Sequence, residues 1–221
     1  GVPVDQIAKT YTLRLKGEAY TEVLERGFVY HFTFPVKKAG AYQYRVAIRD
    51  SRTGKVGSAS QFIEVPNLKK EHLTISGIVL ENMTAEQWQA LVSEKPVSEE
   101  KSETEVETSP MYDTSLRRLK RGTILSYGFE IYNARLDAAK RSNLTTKIRL
   151  FRDGKVVLDG KENAIETGGQ TDMRRVKFSG AVSLVSGMPA GDYILQIIVT
   201  DNLAKEKRKL ASHFVQFEIV Q

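Results

Sequence analysis

Apolar and polar residues alternate along most of this chain, in runs of five to ten broken by turn residues. Residues 10–15 (T-Y-T-L-R-L), 28–34 (F-V-Y-H-F-T-F) and 42–48 (Y-Q-Y-R-V-A-I) follow a period of two, and 58–65 (S-A-S-Q-F-I-E-V) closes a first group before Pro66. A period of two puts the apolar side chains on one face of a strand, so four antiparallel strands are predicted here. Further strands are predicted at 73–80, 123–132, 145–151, 156–158, 174–185, 193–200 and 213–220. Arg152-Asp153-Gly154-Lys155 marks a tight hairpin, because both central positions of its turn require positive φ. Only 84–92 departs from the pattern. Thr84 and Gln87 stand at capping-box spacing, and Trp88, Leu91 and Val92 share one helical face, which predicts a short helix anchored by Trp88.

One phrase is written twice. Residues 39–50 read A-G-A-Y-Q-Y-R-V-A-I-R-D and 190–201 read A-G-D-Y-I-L-Q-I-I-V-T-D, so Ala-Gly, Tyr, the alternating run and the closing Asp fall in register. Repetition at this distance predicts two similar β modules. Gly40 and Gly191 permit a sharp bend, and Tyr42 and Tyr193 can fold their rings over it with the hydroxyl bonded to an upstream backbone group. Asp50 and Asp201 end the two strands and are expected to cap the turns that follow.

The expected architecture is all-β: two immunoglobulin-like Greek-key sandwiches in tandem with one short helix. The first module spans 1–67 and the second 68–221, with an acidic insertion at about 93–113. Four strands make a small core, so the first module is expected to lack its early strands or to borrow its core, leaving an open sheet edge. The opening Gly1-Val2-Pro3-Val4 carries no initiating Met and reads as the start of a piece cut from a longer protein.

Composition narrows the chemistry. The 221 residues hold no cysteine, which removes disulfides, thiolate metal sites and thiol nucleophiles. The three histidines, His31, His72 and His213, are isolated, and neither G-x-S-x-G nor a phosphate-cradling loop occurs. No catalytic residue, metal ligand or cofactor is therefore expected, and the chain is read as a non-enzyme. No run approaches the roughly 18–20 apolar residues of a spanning helix.

The net charge of +6 hides a division. Lys plus Arg against Asp plus Glu count 12 to 6 over residues 1–70, 2 to 10 over 71–113 and 19 to 11 over 114–221. The acidic middle can attract its own basic neighbours, which weakens a nucleic-acid reading. Two clusters remain as candidate contacts for a partner or polyanion: Arg117 and Arg118 before a strand, and Lys205, Lys207, Arg208 and Lys209 at the tip of the last hairpin. No aromatic platform is interleaved with them.

Taken in order, A-G-A-Y-Q-Y-R-V-A-I-R-D-S-R-T-G-K-V-G-S, I-E-V-P-N-L, L-T-I-S-G-I-V-L, Y-G-F-E-I-Y-N-A, L-F-R-D-G-K-V-V and P-A-G-D-Y-I-L-Q-I-I-V-T-D resemble the region that follows the metal-binding domain in bacterial proteins related to von Willebrand factor type A, many of them from Acidobacteria. The likeness covers most of 37–220. The family's D-x-S-x-S metal pattern is missing, since Asp113-Thr114-Ser115 runs on into Leu116-Arg117, so no ligand residue transfers. What the resemblance implies is context: the C-terminal part of an exported, multidomain protein of adhesion or scaffold type, outside the cytoplasm. The leading expectation is a structural or protein-interaction module, partnered by another protein or an upstream domain. A carbohydrate-binding module is the alternative, and polyanion binding through the basic hairpin a further one.

Overall fold

A computed structural model describes residues 2–26, 32–93 and 116–221. The chain divides into two compact units: Gly1–Tyr11 with His31–Glu71, and Thr12–Tyr30 with His72–Gln221. It is an all-β protein with two short helices among the described residues.

In the first unit, β1 (Gly40–Arg49) and β2 (Val56–Val65) form a two-stranded antiparallel sheet. Gly40 takes φ 154°, and the Tyr42 ring lies over it, 3.6 Å from where a Cβ would stand. The Tyr42 hydroxyl donates to the Lys38 carbonyl at 2.7 Å, which is the corner expected from the sequence. Asp50 caps the hairpin as expected, accepting from the Arg52 N–H at 2.9 Å and the Thr53 hydroxyl at 2.6 Å. These donors hold its carboxyl below the ordinary range.

Two of the four strands expected here are not seen. Residues 10–15 are irregular, with Tyr11 and Leu13 about half exposed. Alternation marks a face that could be buried, but a strand also needs a ladder partner, and no strand lies against this run among the described residues. Residues 32–34 are irregular too, Phe34 meeting Tyr44 edge-on at 6.0 Å, while 28–31 lie outside the described residues. An unforeseen helix, α1 (Glu18–Arg26), in the segment that belongs to the second unit, follows Gly17, whose φ of 59° turns the chain and whose carbonyl accepts from the Tyr20 N–H. The described part of the first unit therefore has one layer of two strands, fewer than the four expected of a module that was itself expected to lack its early strands or to borrow its core.

The second unit is a two-layer sandwich. One sheet runs β10 (Arg175–Leu184), β6 (Thr123–Tyr132), β3 (Thr74–Ile75), with β4 (Val79–Met83) also paired to β6. The other runs β5 (Arg118–Lys120), β12 (Leu210–Val220), β11 (Gly191–Asp201), β7 (Leu144–Arg152), β8 (Lys155–Asp159), with β9 (Asn163–Ala164) on β7. β5 pairs with β12 in parallel and every other ladder is antiparallel. The early segment touches both sheets, β3 and β4 pairing with β6 and β5 with β12. Strand ends match the alternation to within three residues, and Asp153 and Gly154 take φ of 50° and 72° in the hairpin between β7 and β8.

The core follows from the same alternation. Leu125, Tyr127, Phe129 and Ile131 of β6 face Tyr193, Leu195, Ile197 and Val199 of β11, all buried. Helix α2 (Ala85–Ser93) forms where its capping box predicts. The Thr84 hydroxyl accepts from the Gln87 N–H at 3.2 Å, and the Gln87 side chain accepts from the Thr84 N–H at 2.8 Å. Trp88 is half-buried on it. The acidic run expected to be a loop falls, from residue 94 onward, outside the described residues.

Two core features generate predictions. A Cβ at Gly180 would stand 2.5 Å from the Tyr127 hydroxyl, so that ring occupies the space glycine leaves. Gly180→Ala should cost about 1–3 kcal/mol by overpacking, read as a lowered urea midpoint at unchanged slope. Burial pushes the Tyr127 phenol up to about 12. Its neutral form is the one the core accommodates, so this contribution to stability is complete below pH 10 and is lost as pH rises toward 12. Tyr127→Phe should flatten that alkaline loss in pH-dependent unfolding.

Candidate anion-binding site at one end of the sandwich

Asp201 closes β11 and is 1% exposed. One oxygen accepts from the Leu203 N–H at 3.0 Å inside the β11–β12 hairpin, and the other accepts from the Arg135 N–H at 2.8 Å in the β6–β7 loop. Its own N–H donates to the Lys209 carbonyl at 2.8 Å. Nearby, the Asn202 N–H reaches the Asn143 carbonyl at 2.9 Å, and the Asn202 amide reaches the Asn143 side-chain oxygen at 3.1 Å. These bonds fix two loops side by side. Asp201 is thus the turn cap expected from the sequence, with a second duty across 66 residues that the sequence does not display.

Between the two loops lies a concavity of about 480 Å³, lined by Arg135, Lys205, Glu206, Lys207 and Arg208. A 3-10 turn, Glu206–Arg208, presents the hairpin side chains, closed by the Arg208 N–H donating to the Lys205 carbonyl at 2.8 Å. Glu206 is the one carboxylate in the lining, and its exposed oxygen stands 3.5 Å from the ammonium of the half-buried Lys209, a separation at which a surface pair contributes little. Arg135, Lys205, Lys207 and Arg208 make no ion pair among the described residues. On the same loop, Arg141 is held by Asp137 at 3.2 Å, whose carboxyl is kept below its usual range first by the Arg141 N–H and then by the guanidinium. The arrangement concentrates positive charge at a concave, solvent-open surface, which suits an anionic ligand.

The structure brings together only part of the predicted cluster. Lys205, Lys207 and Arg208 line the concavity, while Lys209 turns to Glu206. Arg117 and Arg118 belong elsewhere. They sit where β5 pairs with the far end of β12, the Arg118 guanidinium bonded to Glu218 at 3.0 Å and the Arg117 carbonyl accepting from the Glu218 N–H at 2.8 Å. Leu210 and Glu218 are eight residues apart on one strand, which at about 3.3 Å per residue separates the two clusters by roughly 26 Å. Arg135 was missed. It lies in an ordinary loop, and its place depends on a hydrogen bond made only after folding. The available signal was Asp201 itself, an acid at a buried strand end with two acceptor oxygens to satisfy.

The second tyrosine corner braces the opposite end of β11. Gly191 takes φ 132°, and the Tyr193 hydroxyl donates to the Pro189 carbonyl at 2.8 Å. The Arg152 guanidinium sits 5.8 Å over the Tyr193 ring and bonds the Ala190 carbonyl at 3.2 Å.

Among the described residues no three His, Asp or Glu side chains are placed to hold a metal. His213 is half-buried on β12, His72 precedes β3, and His31 lies outside the described residues. On the outer face of β11 and β12, Phe214 is the exposed aromatic and stands opposite Gln196, so no row of Tyr or Trp forms there for a sugar ring. No described helix is long and apolar enough to cross a membrane.

No family model matches this sequence, and no curated protein does. Among solved structures, a proposed bacterial DNA-binding protein from Bacteroides vulgatus aligns over 91% of this chain and 75% of its own, at 9% identity and a TM-score of 0.24. A superposition that shallow establishes no shared fold.

The hydrogen bonds around Asp201 predict unequal caps. Asp201→Ala removes a buried carboxylate that accepts from two N–H groups and should destabilise by about 1–3 kcal/mol, whereas Asp50→Ala, at an exposed turn, should cost less than about 1 kcal/mol. Chemical denaturation of the two variants checks the order. Tyr193→Phe, which deletes one bond at a buried corner, should cost about 1 kcal/mol in the same assay.

Proposed function

We propose that this chain is a non-catalytic interaction module that docks an acidic protein segment at the basic loop end of its second unit. The observation that carries the reading is the group of Arg135, Lys205, Lys207 and Arg208, converged from two loops onto one concavity and held there by the buried Asp201. Rigid backbone placement matters because flexible lysines scattered on a surface contribute little to affinity, whereas preorganised charges act together. The likeness to proteins related to von Willebrand factor type A supports placing the module in the C-terminal part of an exported scaffold or adhesion protein.

The test uses a fluorescently labelled peptide of about 15 residues rich in Glu and Asp, titrated with the full chain at two salt concentrations. Binding should weaken as salt rises. Replacing Lys205, Lys207, Arg208 and Arg135 together by Ala should weaken it by about tenfold or more, while Arg117→Ala with Arg118→Ala should leave it within about twofold. Equal effects from the two sets would sink the proposal. Tighter binding of duplex DNA than of the peptide, with a log–log salt slope of about 0.9 per phosphate neutralised, would replace it with a nucleic-acid reading.

A further inference from the structure

Strand edges of the second unit lie at β10, β8 and β4, and along the part of β12 that β5 does not reach. An open edge pairs readily with another chain unless it is short, bulged, charged or covered. β10 is covered in part by its own chain: the Gln170 side chain accepts from the Lys177 N–H at 2.8 Å and donates to the Lys177 carbonyl at 3.0 Å, as a neighbouring strand would. β8 is five residues long, bulged against β7 and ended by Lys155 and Asp159. β4 is equally short and carries Glu81.

β12 has none of these guards. The Glu218 N–H donates to the Arg117 carbonyl and the Val220 carbonyl accepts from the Arg121 N–H, so alternate residues of this strand turn their backbone groups toward the β5 side. β5 reaches only Glu218–Val220. Leu210, Ser212, Phe214 and Gln216 therefore present their N–H and carbonyl groups at an edge that no described strand lines. Residues 210–216, L-A-S-H-F-V-Q, contain no Asp, Glu, Lys, Arg, Pro or Gly, and their register with β11 is unbroken. Leu210 and Phe214 are 64% and 66% exposed.

Both ends of this edge are basic. Lys209 precedes Leu210, with Lys205, Lys207 and Arg208 just beyond, and Arg117, Arg118 and Lys120 stand where β5 begins. Seven extended residues at about 3.3 Å each span about 23 Å, close to the roughly 26 Å between the two clusters. A second copy laid antiparallel, Leu210 opposite Gln216, would bring its Lys207, Arg208 and Lys209 against the Arg117 and Lys120 of the first, and like charges so placed disfavour it. A strand with acidic ends meets opposite charge at both, in either direction.

We infer that the Leu210–Gln216 edge of β12 takes up, as an added strand, an extended segment of a partner protein in which about seven alternating apolar and polar residues lie between acidic ends. Main-chain hydrogen bonds hold the segment, and its apolar side chains cover Leu210 and Phe214. The acid at the Lys209 end rests on the docking proposed above, and the added strand rests on the edge itself.

The full chain is titrated with two labelled peptides that share two acidic residues at each end, joined in one by about seven alternating Val and Thr and in the other by about seven alternating Gly and Ser. The Val-Thr peptide should bind at least about tenfold tighter. Ser212→Pro removes an outward N–H and leaves the β11 ladder whole, so it should shrink that margin to within about twofold and keep the Gly-Ser affinity within about twofold. In the unaltered chain, saturation with the Val-Thr peptide should slow hydrogen exchange at Ser212 and Phe214 by at least about tenfold relative to the Gly-Ser peptide. Equal affinities, a margin that survives Ser212→Pro, or unchanged exchange at Phe214 overturns the inference. A dimer of the unaltered chain in sedimentation that Ser212→Pro breaks also overturns it, because a second copy would then hold the edge. Replacing Arg135, Lys205, Lys207 and Arg208 by Ala separates the two readings: unchanged Gly-Ser affinity with the Val-Thr margin intact sinks the loop-end docking and upholds the added strand.

Discussion

A strand with one apolar face is stable only when something covers that face, and this requirement organises the whole molecule. In β11 it is met on all sides: β12 and β7 satisfy the backbone edges, and β6 and β10 close over Tyr193, Leu195, Ile197 and Val199. Each such side chain contributes about 1.5–3 kcal/mol by leaving water. β1 carries the same strand design with one edge ladder and no facing sheet among the described residues. The comparison within one chain separates what a strand encodes locally from what its surroundings supply.

The corner and the cap belong to the local part. Glycine at the bend, tyrosine two residues on and aspartate at the strand's end form the same hydrogen bonds in both copies, whether the ring is buried, as at Tyr193, or half-buried, as at Tyr42. All partners lie within four residues, so no distant element is needed. The second oxygen of each aspartate shows where locality stops. In Asp50 it takes the neighbouring Thr53 hydroxyl, and in Asp201 it reaches the Arg135 N–H on another loop. One residue type in one position thus closes a turn in one unit and joins two loops in the other.

That junction also shapes the charged end. Loops at the end of a sandwich are free to vary because the layers beneath hold their roots. Here the roots are held by Asp201 and by the Asn143–Asn202 contacts, so cations from both loops face a common concavity. Several other cations of this unit are paired, Arg118 with Glu218, Lys147 and Arg149 with Asp159, and Arg175 with Glu130. The loop end stands out because cations from two loops line one concavity.

Sequence alone determined the longer strands of the second unit, the helix with its Thr84–Gln87 box, the Asp153-Gly154 turn and both tyrosine corners, because each rests on periodicity or on partners a few residues away, whereas the short β5 and β9 and the break between β3 and β4 carry no such signal. It overstated the first unit, since the alternation at 10–15 states a preference for burial without showing what would bury it. It also grouped Arg117 and Arg118 with the hairpin lysines, although pairing places them at opposite ends of β12. Only the tertiary structure decided which cations share a surface and which of the two duplicated strands has a facing sheet among the described residues. Both depend on contacts between residues tens of positions apart, and such contacts exist only once the sheets have stacked.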